Sequence, residues 1–228
     1  MKITVLGTGI VGQTIAGKLS ELGHEVNMGT RDPQITLRST EPNRMTGIVF
    51  SNWYKNHSSI KLLKFDEAAN ETDLIINATS GKKTLEVLQL VGEKVLQGKI
   101  LIDIANPLDF TKGFPIIDPS NTDSLGEQIQ RNFPQTKVVK TLNTMNASIM
   151  VNPEEVKGNH SVFVSGNKEQ AKLLVIDLLK EIGWRANNII DLGDIKTARG
   201  VEMMLPLWLT LYTKFGNANF NFHIQKAD

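Results

Sequence analysis

The sequence predicts an α/β fold: a doubly wound, mostly parallel sheet followed by a small C-terminal α/β appendage. Short apolar runs rich in Ile and Val alternate with longer amphipathic stretches, which is the pattern of strands joined by crossover helices. The runs are apolar throughout, so helices are expected on both faces of the sheet. A glycine-rich turn follows the first run directly, as it does in sheets that bind nucleotides at their strand ends.

Six strands are predicted before residue 153, with helices between them. The strands are predicted at 2–6, 25–28, 60–65, 73–78, 99–104 and 137–142, and the helices at 12–22, 42–56, 83–96 and 125–132. After Pro153 the pattern predicts strands at 161–165 and 189–192 and helices at 168–182 and 198–214. The stretch 109–122 contains proline and glycine without periodicity and is predicted to be a surface loop beside the site. We therefore expect one domain over 1–153 and a smaller segment over 154–228.

The composition excludes several classes of partner. The chain has 228 residues, and 25 Lys and Arg against 24 Asp and Glu give a net charge of +1, too small to hold nucleic acid or an anionic membrane. It contains no cysteine, which rules out disulfides, thiolate nucleophiles and cysteine-based metal centres. No signal peptide fits before the glycine turn, and the longest apolar tract, 201–212, is shorter than the ~18–20 residues that span a bilayer. We expect a cytoplasmic protein without a metal site and without nucleic-acid or membrane partners.

The glycine turn has the G-x-G-x-x-G spacing of Rossmann-type dinucleotide-binding folds, in the stretch Gly7-Thr8-Gly9-Ile10-Val11-Gly12. Gly7 permits the tight turn, Gly9 lets the backbone approach a pyrophosphate, and Gly12 lets the helix pack closely on the strand. The N-terminus of the following helix offers unpaired N–H groups and partial positive charge to the phosphates. The alternative is a turn that is only structural.

The end of the second predicted strand distinguishes NADP from NAD. An NAD-binding protein usually has Asp or Glu there to bind the ribose 2′-hydroxyl, whereas this chain reads Gly29-Thr30-Arg31. A hydroxyl and a guanidinium hydrogen-bond a 2′-phosphate, so NADP(H) is preferred. Asp32 is a displaced acid in the alternative interpretation, but with Pro33 after it Asp32 is better explained as a helix N-cap. Arg38 and Arg44 are further phosphate candidates, with solvated surface roles as the alternative.

Three more strand ends are expected to face the ligand, because ligands of open α/β sheets lie outside the carboxyl ends of the strands. They are 77–81, 104–108 and 142–147. Each combines small residues with amide or hydroxyl groups that suit the nicotinamide and its ribose, although turn and cap chemistry explains the same residues. The candidates at the first two ends are Ala78, Thr79, Ser80, Asn106 and Pro107.

No acid–base residue is expected at the site. Reduction of a carbonyl needs a proton donor, but neither Tyr54 nor Tyr212 has a lysine four residues later. Lys140 falls inside a predicted strand and is interpreted as structural, with a catalytic amine as the alternative. A site without an acid suits a conjugated ring acceptor such as a flavin or deazaflavin, which stabilises the transferred charge itself.

The chain resembles the NADP-dependent coenzyme F420 oxidoreductase family, which is related to the NADPH-flavin domains of the six-transmembrane epithelial antigen of prostate metalloreductases. The resemblance covers almost the whole chain. Besides the glycine turn and Gly29-Thr30-Arg31, it is carried by Asp103-Ile104-Ala105-Asn106-Pro107-Leu108, Asn143-Thr144-Met145 with Ala147, and Asp191-Leu192-Gly193 with Ala198-Arg199.

The resemblance implies direct hydride transfer between NADP(H) and coenzyme F420 or a flavin-like acceptor. Such a transfer depends on the proximity of the nicotinamide and acceptor rings rather than on acid–base residues. It implies a homodimer paired through the C-terminal segment, which also faces the acceptor. This chain has Asn143 where deazaflavin-specific members often have His, so the resemblance does not decide between a deazaflavin and another ring acceptor. The implied NADP contacts are Thr8, Ile10, Val11, Thr30, Arg31, Thr79 and Ala147, and the implied acceptor pocket is Asn143, Met145, Thr197 and Arg199.

Two other functions remain compatible with the dinucleotide motif. One is NADP-dependent reduction of a small imine or 2-hydroxy acid, although such enzymes usually add a long all-helical C-terminal domain. The other is a non-catalytic NADP(H)-sensing module, which would keep the glycine turn but lack an open acceptor pocket. Turnover assays separate the sensor from the enzymes.

Overall fold

The computed structural model describes residues 1–43, 47–109, 111, 113 and 115–227. Within them the chain forms a large sheet and a short hairpin. The strands are β1 (Lys2–Leu6), β2 (Glu25–Thr30), β3 (Lys61–Lys64), β4 (Leu74–Asn77), β5 (Ile100–Asp103), β6 (Leu108–Asp109), β7 (Ile116–Ile117), β8 (Lys137–Thr141), β9 (Val162–Gly166) and β10 (Ile189–Asp191).

The large sheet has the strand order β10-β9-β8-β5-β4-β1-β2-β3, and β6 and β7 form the hairpin. Neighbouring strands from β3 to β8 are parallel, β9 is antiparallel to β8, and β10 is parallel to β9. The carboxyl ends of β1, β2, β4, β5 and β8 therefore meet at one edge of the sheet. This confirms the predicted doubly wound, mostly parallel fold.

Helices cover both faces of the sheet. They are α1 (Ile10–Glu21), α2 (Pro33–Arg38), α3 (Phe50–Lys55), α4 (Phe65–Asn70), α5 (Thr84–Val91), α6 (Glu93–Leu96), α7 (Leu125–Asn132), α8 (Ala147–Val151), α9 (Glu169–Ile182), α10 (Ala198–Glu202) and α11 (Leu205–Phe215). None of the helices in the described part of the chain is both long and apolar enough to cross a bilayer.

The core consists of two apolar clusters, one on each face. On one face, residues of α1, α8 and α9 such as Ile15 and Val175 pack with Val139 of β8. On the other face, residues of α4, α5 and α7 such as Leu88 pack with Val138 of the same strand. Adjacent residues of β8 thus enter opposite clusters, which explains why the strands are apolar throughout.

Several predicted helices are shorter in the structure. The prediction of one helix over 42–56 is wrong: Pro42 forms a β-bridge with Val49, the helix α3 starts only at residue 50, and residues 44–46 lie outside the described part. The predicted helix 83–96 is interrupted at Gly92, whose φ of +94° is not helical. The predicted helix 198–214 is two helices, α10 and α11, with Pro206 in the first turn of the second.

Two short helices, α4 and α8, were not predicted, because each has only six or five residues. The predicted loop 109–122 contributes β7, and residues 110, 112 and 114 of it lie outside the described part. The strands after residue 153 extend the same sheet at its β8 edge. The division into two segments at that residue stays a prediction.

Candidate dinucleotide and acceptor site

The glycine turn is held tightly between its neighbours. The backbone N–H of Gly7 donates to the carbonyl of Gly29 in β2 at 3.0 Å, and that of Ala78 donates to Leu6 at 2.9 Å. Gly7 has a φ of +110°, and a Cβ there would lie 2.7 Å from the Ala78 carbonyl oxygen. A Cβ on Gly12 would lie 2.1 Å from the carbonyl oxygen of Gly7. Both positions therefore require glycine for steric reasons.

Gly9 differs, because a Cβ there would meet no atom of the described residues within 4 Å. It is the N-cap of α1, and none of the described side chains caps the N-terminus of that helix. The loop before it is anchored by Gln13, whose Nε2 donates to the carbonyl of Thr8 at 2.8 Å. Free N–H groups beside open space fit a pyrophosphate, with Ile10 and Val11 supplying the first turn of the helix.

A cavity of about 600 Å³ lies at the carboxyl ends of β4, β5 and β8, next to the glycine turn. This volume is in the range of small-molecule sites. Predicted residues from four separate segments line it, namely Val11, Ala78, Thr79, Ser80, Asn106, Asn143 and Met145. The fold therefore brings the end of the glycine motif and the predicted acceptor wall to one space.

Two amide side chains join the loops after β5 and β8. Asn106 donates from Nδ2 to the carbonyl of Asn143 at 2.7 Å, and Asn143 donates from Nδ2 to Asn106 Oδ1 at 3.0 Å. The Asn143 amide also lies 3.1 Å from the carbonyl of Val201 in α10. These hydrogen bonds join the two loops to each other and to α10. They hold both amide side chains in fixed positions at the floor of the cavity.

A buried ion network lies beneath that floor. The ammonium of Lys140 lies 2.8 Å from Asp103 Oδ2 and 2.9 Å from Glu202 Oε1, and it also donates to the carbonyl of Ala105. The side chains of Lys140 and Asp103 are fully buried, and that of Glu202 nearly so. Burial alone would lower the pKa of Lys140, but the two carboxylates outweigh it and raise that pKa above its ordinary value.

The network has one more negative than positive charge, and a helix end offsets the difference. The first two backbone N–H groups of α7 donate to the Glu202 carboxylate at 2.8 and 3.1 Å. The network of Lys140, Asp103 and Glu202 thus connects β5, β8, α7 and α10. Lys140 has no surface in the cavity, which is consistent with its interpretation as structural.

The end of β2 carries the predicted phosphate contacts. The hydroxyls of Thr30 and Thr36 lie 2.8 Å apart, and Arg31 donates from Nη2 to Glu86 Oε1 at 2.8 Å. Asp32 accepts the backbone N–H groups of residues 34 and 35 at 2.8 and 3.0 Å, so it is the N-cap of α2 as predicted. Arg38 is exposed at the end of α2, and Arg44 lies outside the described part.

Apart from the predicted residues of the glycine turn and of the β2 end, four more predicted site residues are not among the described residues that line the cavity. Ala147 is buried at the start of α8, and the Pro107 carbonyl accepts a bond from residue 118. The hydroxyl of Thr197 donates to Ser165 Oγ at 2.7 Å. Arg199 forms a two-pronged ion pair with Glu127 of α7. Their roles stay predictions.

Arg199 binds the carboxylate of Glu127 through Nε at 2.7 Å and Nη2 at 2.6 Å. The hydrogen bond lowers the pKa of Glu127 and raises that of Arg199. The guanidinium is therefore committed to α7 in this structure, and it holds α10 against α7.

Residues that the sequence analysis did not assign also line the cavity. Trp208 of α11 forms part of its wall, and the indole Nε1 is buried without a hydrogen-bond partner among the described residues. On the rim, Lys82 lies 2.6 Å from Asp109 Oδ1, and this bond, with one from Thr111, holds the pKa of Asp109 far below its usual range. Trp208 is separated from the glycine turn by almost the whole chain, so no local sequence signal indicates its place.

A glycine turn, an uncapped helix N-terminus and a cavity at the edge of a parallel sheet define a Rossmann-type dinucleotide-binding protein. The comparisons with known proteins identify the family. Residues 2–107 match the family described as NADP oxidoreductase, coenzyme F420-dependent.

A solved structure from Arthrobacter sp. FB24, described as a candidate F420-dependent NADP reductase, is similar along the whole chain. The two are 55% identical, with a TM-score of 0.95 over 99% of this chain and all of that one. The F420-dependent NADP reductase of Methanocaldococcus jannaschii is 29% identical over the full length of both chains. The rat metalloreductase STEAP3 is 26% identical over 91% of this chain, which spans only 38% of that protein. This chain belongs to the F420-dependent NADP oxidoreductase family.

Proposed function

We propose that this protein transfers a hydride between NADP(H) at the glycine turn and coenzyme F420, or a flavin-like acceptor, in the adjoining cavity. The observation that carries the proposal is the continuity of the two spaces. Val11 belongs to the first turn of α1 and also lines the cavity, so a nicotinamide reaching past α1 enters the space that the acceptor would share. The names of the similar reductases support the same pair of substrates.

The small number of titratable side chains among the described cavity residues supports direct hydride transfer. Of the described residues that line it, only Lys82 and Asp109 titrate, and they are paired with each other on the rim. The nicotinamide supplies the hydride when it is bound. The protein then has to orient two rings and exclude water, which the apolar wall from Met145, Leu205 and Trp208 suits.

The acceptor is tested by following NADPH oxidation through the absorbance of reduced nicotinamide. F420, FMN, FAD and ferric chelates are supplied separately, and NADH replaces NADPH as a control. We expect turnover with F420 or one other ring acceptor. Binding of NADPH without turnover on any acceptor would contradict the proposal and favour the sensor module.

The NADP preference is assigned to Thr30 and Arg31, which are expected to bind the 2′-phosphate. Arg31→Ala should weaken NADPH binding by about 1.5–3 kcal/mol, because a charge-assisted hydrogen bond is lost, and should barely change NADH binding. The measurement is fluorescence titration with both dinucleotides, with Arg185→Ala, which removes an exposed guanidinium paired with Glu154, as the control. An equal effect on NADH and NADPH would sink the assignment.

The reductase of imines or 2-hydroxy acids is not favoured. Imine reductases share the fold, as in the Streptomyces aurantiacus enzyme with a TM-score of 0.62, but at 15% identity this likeness shows the fold alone. The present chain also covers only 62% of that protein.

The same proposal includes a homodimer and a cytoplasmic location. The helix α11 leaves Leu207 and Phe215 about half exposed, at 53% each, which supports pairing of two copies through this helix. The absence of cysteine supports a reducing compartment.

A further inference from the structure

The carboxylate of Glu86 is held between two cations at the edge of the proposed NADP site. Its Oε1 lies 2.8 Å from Arg31 Nη2, and its Oε2 lies 2.8 Å from Lys83 Nζ. The hydrogen bond from Lys83, and to a smaller extent the charge of Arg31, lowers the pKa of Glu86 below its ordinary value. Glu86 is thus a resident anion between an arginine and a lysine.

The sheet order places this group over the dinucleotide site. Strand β1 lies between β2 and β4, and its carboxyl end carries the glycine turn. Arg31 directly follows β2, whereas Lys83 and Glu86 follow β4. The Arg31–Glu86 pair therefore bridges the two strand ends that flank the turn, on the side where an adenosine ribose must lie if Arg31 binds its 2′-phosphate.

We propose that Arg31 and Lys83 together bind the 2′-phosphate of NADP(H), and that Glu86 occupies their positive charge until the phosphate displaces it. Lys83 is then a second phosphate-binding residue, and Glu86 sets the strength of NADP(H) binding by competing for both cations. This inference rests on the proposed function, because it takes the assignment of Arg31 as its starting point.

The exchange is physically easy. The side chains of Arg31, Lys83 and Glu86 are 66%, 62% and 46% exposed, and ion pairs in such positions contribute little to stability. A phosphate monoester carries about −1.5 to −2 charges and three acceptor oxygens, so it can accept from both cations at once with more charge than a carboxylate. The guanidinium suits two-pronged binding, and the lysine adds a flexible point charge.

The test uses adenosine 2′,5′-bisphosphate and adenosine 5′-monophosphate as probes, which differ only by the 2′-phosphate. Their affinities are measured by calorimetry for the wild type, Lys83→Met, Glu86→Gln and the double variant. We expect Lys83→Met to weaken the bisphosphate at least five-fold, and Glu86→Gln to tighten it about two- to five-fold, with little change for the monophosphate. Lys94→Met and Glu93→Gln, exposed residues of α6, are the charge-matched controls.

The double variant decides how Lys83 acts. If Lys83 contacts the phosphate, its loss weakens bisphosphate binding in the Glu86→Gln background as well. If Lys83 only restrains Glu86, its effect vanishes in that background and its assignment as a ligand is overturned.

The failure of this inference is distinguishable from failure of the proposed function. If Arg31→Ala weakens bisphosphate binding while Glu86→Gln and Lys83→Met do not alter it, the NADP site stands and the resident-anion inference is wrong. If Arg31→Ala also leaves the bisphosphate unchanged, the phosphate site lies elsewhere and both are wrong.

Discussion

The open space at Gly9 allows dinucleotide binding to be tested without disturbing the fold. Its backbone is extended, with φ −71° and ψ −180°, and a Cβ would meet nothing within 4 Å in the part of the chain that the structure describes. We expect Gly9→Val to fold with nearly the wild-type melting temperature but to lose NADPH binding, because its side chain fills the space proposed for the pyrophosphate. Calorimetric titration with NADPH and thermal unfolding are the two measurements. Retained affinity would show that the turn is only structural.

Gly12 provides the contrasting variant. A Cβ there would lie 2.1 Å from a backbone carbonyl that cannot move without opening the turn. Gly12→Ala should therefore destabilise the protein by about 1–3 kcal/mol or more, measured by chemical denaturation. Stability equal to that of the wild type would mean that the turn is less tightly packed than described.

Lys140 is expected to contribute more to the free energy of unfolding than a lysine at the protein surface. Lys140→Met would leave Asp103 and Glu202 buried without their cation, which costs about 3–5 kcal/mol when one partner of a buried pair is removed. Lys137→Met, at the start of the same strand, is the control and should change stability by less than about 1 kcal/mol. Equal losses in the two variants, measured by urea unfolding, would rule out a special role for the network.

The glycine turn could be predicted because its requirements are local, and each glycine has a steric or chemical reason within a few residues. The buried ion network could not be predicted from the sequence. Asp103, Lys140 and Glu202 are far apart along the chain, and a charged residue within an apolar strand gives no indication of its partner. The cavity position of Trp208 was missed for the same reason, since α11 has to fold back across the sheet edge to reach it.

The order of strands bears on why Thr197 and Arg199 are not among the described residues that line the cavity. The rule that ligands meet carboxyl strand ends applies to β1, β4, β5 and β8, but β9 runs antiparallel to β8 and β10 follows its direction. Residues after β10 therefore start from the opposite edge of the sheet. Strand direction depends on pairing between distant segments and cannot be read from apolar patterning.

Helix limits were predictable only where a helix is long. The helices α1, α7 and α9 agree with their amphipathic patterns, whereas the pattern over 83–96 continues through Gly92 although the helix does not. The apolar periodicity reports burial on one side of the chain, and a kinked pair of helices can bury the same side. Breaks of this kind depend on backbone angles at one residue.

The contact between α7 and α10 should depend on pH. Because the pKa of Glu127 is lowered in the folded state, its pair with Arg199 contributes stability above the ordinary glutamate pKa and loses it as the pH falls toward the depressed value. We expect Arg199→Met to lower the melting temperature most above about pH 5 and progressively less in acid. A variant whose deficit stays constant down to the acid limit would contradict this. Arg185→Met, which removes an exposed pair with Glu154, is the control.

The proposed homodimer can be tested on α11. Leu207→Glu places a charge on its exposed apolar face and should weaken the dimer at least ten-fold, so that light scattering coupled to gel filtration reports a smaller mass at low concentration. Leu90→Glu, at a position 50% exposed on α5, is the matched control and should not change the mass. A monomeric wild type would refute the dimer directly.

The cavity combines the beginning and the far part of the chain, from Val11 to Trp208, and this has a consequence for synthesis. A nascent chain that has emerged only through β8 already carries the glycine turn and the strands on both sides of it, but it lacks the wall that α11 provides. Synthesis adds about 5–20 residues per second, and domains generally fold as units. We therefore expect a second ring to have no complete binding space until the segment that contains α11 has left the ribosome.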